Sequence, residues 1–113
     1  MLRWITSHSE YAEFFQPDFQ LRTAYFYVPV LYTEGETAVG ITISRKIGKA
    51  VKRNLLKRRI KSWLRSNRDN LPLGYRFNLV AKKGATDLEW QQLSLELSKI
   101  AVQLQSRVRY GNG

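Results

Sequence analysis

Twenty-four consecutive residues, 45 to 68, carry eleven lysines and arginines and not one acid. The other 89 residues hold eight basic and nine acidic side chains, so the whole net charge of +10 comes from this stretch. The stretch also has a second pattern. Projected at ~100° per residue, Leu56, Ile60, Trp63 and Leu64 gather in one arc. Asn54, Lys57, Arg58, Lys61, Arg65 and Arg68 gather in another. The apolar arc predicts a helix, from about Lys49 to about Asn67, packed on a core. The basic arc cannot follow it inside, because burying unpaired charge costs too much. An ordinary exposed helix mixes signs and relieves repulsion through acid–base pairs one turn apart. This one runs about five turns without an acid. It repels itself, so a solvated face is a poor account and a polyanion partner a better one. Nucleic acid comes first and an anionic membrane surface second. The membrane reading is the weaker, because the apolar arc is already claimed by the fold.

The rest of the composition narrows the classes. A chain of 113 residues with 43% hydrophobic and 12% aromatic residues reads as one globular domain, 1–113, with short flexible ends at about 1–6 and 108–113. It has no cysteine, which excludes disulfides, thiol chemistry and sulfur-bound zinc, and suits a reducing cytoplasm. A single histidine, His8, leaves too few ligands for a catalytic metal. The nine acids are scattered, with no carboxylate pair or nucleophile–base pair in view. No apolar run approaches the ~18 residues of a membrane span. Residues 1–5 lack the pattern of a signal peptide.

Local signals give the order α-β-β-α-β-α. Ser7 to Gln16 reads as a short helix with a Ser7/Glu10 capping box, ended by Pro17. Residues 22–32 read as a strand, with Pro29 marking an edge position or splitting the strand in two. Thr37–Ser44 and Tyr75–Lys82 read as strands by alternation. A second capping box, Thr86 with Glu89, starts a last helix reaching about Arg107. Its apolar stripe is Leu93, Leu97, Ile100, Ala101 and Leu104. The tail from Tyr110 should fray. The central strand–helix–strand implies a parallel pair. The fold class is α+β, a single mixed sheet with helices packed on it.

A second surface is suggested by aromatics. Tyr11, Phe15, Phe19, Tyr25, Phe26 and Tyr27 crowd the N-terminal third. Most belong to the core or to a covered sheet face. Any ring left exposed beside a basic helix is able to stack an unpaired base. Tyr11, Phe15 and Tyr27 are the candidates. Arginine-rich helices grip phosphate, and Asn54 alone looks able to read a base edge, so shape and backbone recognition of a folded RNA fits best. By charge and size, a ribosomal or assembly factor remains open at this point, and so does a protein-only nuclease, which would need clustered carboxylates.

The stretch Val39–Arg65, VGITISRKIGKAVKRNLLKRRIKSWLR, closely resembles the signature of the bacterial ribonuclease P protein family. Arg45, Lys46, Ile47, Gly48, Ala50, Val51, Arg53, Asn54, Lys57, Arg58 and Lys61 fall on its pattern. Gly74-Tyr75 and Leu79 to Ala85 resemble its third strand and following loop. The likeness covers about residues 9–105. Two positions depart from it. Leu55 replaces the second arginine of an arginine-asparagine-arginine core, with Arg59 or Lys52 as the available substitutes. Arg76 stands where an acid is common.

The resemblance implies a non-catalytic protein subunit bound to a catalytic ribonuclease P RNA in the cytoplasm. The particle would remove the 5′ leader of precursor tRNA. Mg²⁺ would be held mainly by RNA and substrate, and neither a membrane nor a small-molecule substrate would be involved. The implied RNA-subunit contacts are Arg45, Lys46, Lys49, Lys52, Arg53, Asn54, Lys57, Arg58, Lys61, Arg65 and Arg68. The implied leader contacts are Tyr11, Phe15 and Tyr27, with no catalytic or metal-binding residue. The family fold further implies a left-handed β-α-β crossover, the split type seen in ribosomal proteins and a translational-GTPase domain. That is an exception to the usual right-handed rule.

Overall fold

The computed structural model describes residues 2–111, with side chains to Arg107. Five strands form one sheet: β1 (Arg3–Trp4), β2 (Phe19–Arg22), β3 (Phe26–Tyr32), β4 (Ala38–Thr42) and β5 (Tyr75–Ala81). Their spatial order is β1-β4-β5-β3-β2. β4 runs parallel to both β1 and β5, while β3 runs antiparallel to β5 and β2. Three helices complete the fold: α1 (His8–Ala12), α2 (Ala50–Ser66) and α3 (Trp90–Gly111). The parallel β4–α2–β5 unit is the one the sequence predicts.

The alternation of each strand sorts its side chains onto two faces. Phe26, Val28 and Val30 of β3 join Phe77 and Leu79 of β5 and Val39 of β4 on one face. Leu56, Ile60, Trp63 and Leu64 of α2 close over them, with the whole predicted stripe of α3. The opposite face is only half covered. α1 and the 3-10 turn Glu13–Phe15 bury Ile5, Phe14, Leu31 and Ala38 in a second, smaller cluster.

Several expectations need correction. The break in the first predicted strand falls at residues 23–25, not at Pro29. There Thr23 Oγ1 accepts from the Phe26 N–H, and the Tyr25 N–H is taken by buried Glu96 of α3. Pro29 sits inside β3, an inner strand, because the β3–β5 register skips Val28 and Pro29, where proline has no N–H to offer. Residues 3–4 are not a loose end. They pair with β4, and Ile5 beyond them is 4% exposed. The chain is still helical at Tyr110 and Gly111, where fraying was expected; residues 112–113 lie outside the described part. The Ser7 cap is real, with Oγ accepting from the Glu10 N–H. The Glu10 carboxylate, however, turns to two arginines instead of back to the cap. The second capping box shifts by three residues. The Glu89 N–H donates to Gln92 and the Glu89 carbonyl accepts from the Leu93 N–H, while Thr86 donates to the Ile47 carbonyl.

Candidate nucleic-acid interface

The uncovered half of the second sheet face is a groove of about 860 Å³. Tyr11 and Phe15, from α1 and the turn after it, line it together with Tyr27 and Pro29 of β3 and Lys57 of α2. The three aromatic candidates therefore share one groove, and a basic-arc lysine joins them. The other N-terminal aromatics go elsewhere: Phe19 and Phe26 are buried in the main core, and Tyr25 packs against it.

Each ring is held differently. Phe15 is 88% exposed and carries no core role. Tyr27 donates to Gln20 at 2.6 Å, and the Arg22 guanidinium lies 4.6 Å over its ring. Tyr11 is partly structural. Strand β1 ends after two residues, so the next N–H of β4, that of Ile41, would go unpaired. The Tyr11 hydroxyl accepts it at 3.0 Å and lies 3.2 Å from the Ile5 carbonyl. Its ring can approach because residue 40 is glycine: a Cβ there would stand 2.7 Å from Tyr11 Cε1.

The groove floor holds a residue the sequence reading missed. Asn78 is 7% exposed, and its amide oxygen accepts from the Thr42 hydroxyl at 3.0 Å. Its NH₂ makes no hydrogen bond among the described residues and is not sealed from solvent, so it is free to meet a group in the groove. Asn78 alternates with Phe77 and Leu79, so strand periodicity puts it on the face away from the main core, beside Arg76 and Val80, but does not say that this face stays open. Gln20, Arg22 and Thr42 likewise escaped attention, because strand alternation does not say which face stays open.

The basic residues divide into groups. Arg45, Lys46 and Lys49 are exposed on the connector before α2. Ser44 Oγ caps that connector, and Thr86 packs on Gly48, where a Cβ would stand 2.9 Å from its hydroxyl. Asn54, Lys57, Arg58, Arg65 and Arg68 are exposed, and Lys61 is half-buried. Arg53 bends back, its Nε donating to the Gly48 carbonyl at 3.1 Å. Lys52 pairs with Asp87 at 2.7 Å, and Arg59 points to the Leu88 carbonyl. Both are engaged at the loop before α3.

Arg76 has acquired partners. Glu10 takes both guanidinium nitrogens of Arg3, at 2.8 and 2.6 Å, and one of Arg76 at 3.2 Å. Arg76 also reaches Glu13 at 3.1 Å. The hydrogen bond from Arg3 is the main reason that the Glu10 carboxyl is held down to about 2, with Arg76 adding to it against the effect of burial. These four residues fasten α1 to β1 and β5, and so fix the groove wall.

Comparison with known proteins identifies the family and the fold. The family profile described as Ribonuclease P matches residues 3–105. The ribonuclease P protein component of Geotalea uraniireducens is 36% identical over 101 residues, 88% of each chain. That of Citrifermentans bemidjiense is 42% identical over 90 residues, 79% of this chain and 77% of the relative. Among solved structures, the Thermotoga maritima RNase P protein superposes with a TM-score of 0.79 at 22% identity, covering 88% of this chain and 94% of that one. A Staphylococcus aureus RNase P protein gives 0.78 at 21% identity, with 85% and 89% covered. These two share the fold, and the closer relatives and the profile go further: the chain belongs to the ribonuclease P protein family.

Proposed function

We propose that this chain docks a catalytic ribonuclease P RNA through α2 and its connector, and holds the single-stranded 5′ leader of precursor tRNA in the groove. The observation that carries the reading is the junction of the two surfaces. An open, aromatic-lined groove meets an acid-free basic helix, and Lys57 belongs to both. A strand of RNA lying there stacks bases on Phe15 and Tyr27, while Lys57 and Arg22 meet its phosphates. Asn78 and Thr42 offer polar contact from below. Stacking on exposed rings is worth ~1–3 kcal/mol per base.

The protein's part is then binding. It screens repulsion between two RNAs and adds leader contacts, which raises substrate affinity and lowers the Mg²⁺ requirement. We place Mg²⁺ with the RNA and the substrate phosphates, and the particle in the cytoplasm. Among the described residues, no three His, Asp or Glu side chains cluster. The chemical step belongs to the RNA in this reading.

Phe15→Ala tests it without a folding confound, since the ring supports nothing. Reconstituted with a ribonuclease P RNA, the variant should bind precursor tRNA about 5- to 150-fold more weakly. Its affinity for mature tRNA should not change. Equal losses for both, or none for the precursor, would remove the leader from the groove.

A further inference from the structure

Trp4 lies in β1, the edge strand of the sheet, and its half-buried ring packs against the main core. Two α2 cations share that ring. Lys61 Nζ is 5.2 Å from the ring centroid and the Arg65 guanidinium carbon is 5.6 Å from it. Both fall within cation–π range. The two side chains are one helical turn apart, where like charges repel. Neither has an acidic partner among the described residues, whereas Lys52 and Lys99 each have one. Burial, with Lys57 and Arg65 nearby, pushes the Lys61 ammonium below its ordinary range. Left to themselves, two such side chains would splay into water. A carboxylate could hold them, but it would cancel their charge. An indole face holds them and leaves the charge available to another anion.

We propose that Trp4 is a positioning residue for RNA, its ring holding Lys61 and Arg65 together as a two-pronged grip on the phosphodiester backbone at the edge of the sheet. The grip rests on the reading of α2 as the RNA-docking helix. It carries the phosphate-binding surface from α2 round to β1, outside the groove. Arg65 supplies a planar fork for phosphate oxygens and Lys61 a point charge. Because the ring has already ordered both side chains, RNA binding loses less rotamer entropy there.

The test compares Trp4→Leu, which keeps apolar bulk but loses the ring's quadrupole, with Trp4→Phe, which keeps a ring. Affinity for a ribonuclease P RNA transcript is measured across salt concentrations. Trp4→Leu should lose about five- to 150-fold, because two long side chains must then be ordered at the moment of binding. Its log–log salt slope should shrink by about one or two phosphates' worth. Trp4→Phe should keep most of both. Lys61→Ala should cost much less in the Trp4→Leu background than in the unaltered protein. Unchanged affinity and slope in Trp4→Leu, or losses from Trp4→Leu and Lys61→Ala that simply add, would overturn the proposal. If Trp4→Leu does not fold, NMR of the unaltered protein decides. Ring-current upfield shifts of the Lys61 ε-methylene and Arg65 δ-methylene protons support the grip, and random-coil positions overturn it. Lys57→Ala and Arg58→Ala separate the two levels. If they weaken RNA binding while Trp4→Leu does not, only the grip fails. If they too have no effect, the docking reading fails and the grip with it.

Discussion

Removing one carboxylate should loosen the wall of the groove in a way that depends on pH. Glu10 holds Arg3 and Arg76 at once, and replacing it with Gln keeps the shape but deletes the charge. The carboxyl sits at about 2 in the folded chain, against an ordinary value of 4.5. A gap of about 2.5 units at 1.36 kcal/mol per unit sets a ceiling of ~3.4 kcal/mol. Solvent screening lowers it: the Glu10 side chain is 15% exposed and that of Arg3 is 45% exposed. About 1–2 kcal/mol is the expected contribution. A carboxyl depressed on folding stabilises above its unfolded value. That contribution is therefore present at neutral pH and lost as pH falls from about 4.5 toward 2. Urea unfolding of the two proteins, followed by circular dichroism from pH 7 to pH 2, measures it. Other carboxyls titrate in both chains and cancel in the difference. Glu10→Gln should be about 1–2 kcal/mol less stable at pH 7, and the two curves should converge toward pH 2. A difference that is already zero at pH 7, or that stays constant down to pH 2, would refute the reasoning.

Two further outcomes follow from close contacts. Gly40→Ala drives a methyl into the Tyr11 ring, so the hydroxyl must leave the Ile41 N–H. Overpacking of this kind costs about 1–3 kcal/mol, a fall in Tm of roughly 5–15 °C. The fall should largely vanish in a Tyr11→Ala background, and persistence there would show that another neighbour resists the methyl. Asp87→Asn, by contrast, breaks an ion pair whose side chains are both more than half exposed. Thermal unfolding should register less than about 1 kcal/mol, and a larger loss would mean that the pair is organising the loop before α3.

The readable parts of this fold were those with a long, uniform signal. The apolar stripes of α2 and α3 and the alternation in β4 and β5 each repeat over several residues, and each held. What failed was decided by single contacts across the sequence. Pro29 is tolerated in an inner strand because the neighbouring ladder skips it, which no local pattern records. The β2–β3 turn is set by Glu96, some seventy residues away. The two residues of β1 are too few to show any periodicity. The handedness of the β4–α2–β5 crossover is equally silent, because an amphipathic helix has the same stripe whichever way it crosses.

The candidate site divides along the same line. The basic arc was legible because charge that cannot be buried has only one place to go. The aromatic groove was legible in part: composition put rings near the helix, and only the length of α1 decides how much of the sheet stays open. The shortness of α1 comes from the 3-10 turn at Glu13–Phe15 and from Pro17, whose fixed ring turns the chain down into β2. The acids on this segment serve the same end. Glu10 and Glu13 are spent on Arg3 and Arg76, so no carboxylate of the segment faces the groove unpaired. That explains why an arginine suits position 76, where the family pattern favours an acid. With Glu10 and Glu13 packed above it, an acid there would place a third negative charge beside a path suited to phosphate, whereas Arg76 neutralises both and holds the wall in place.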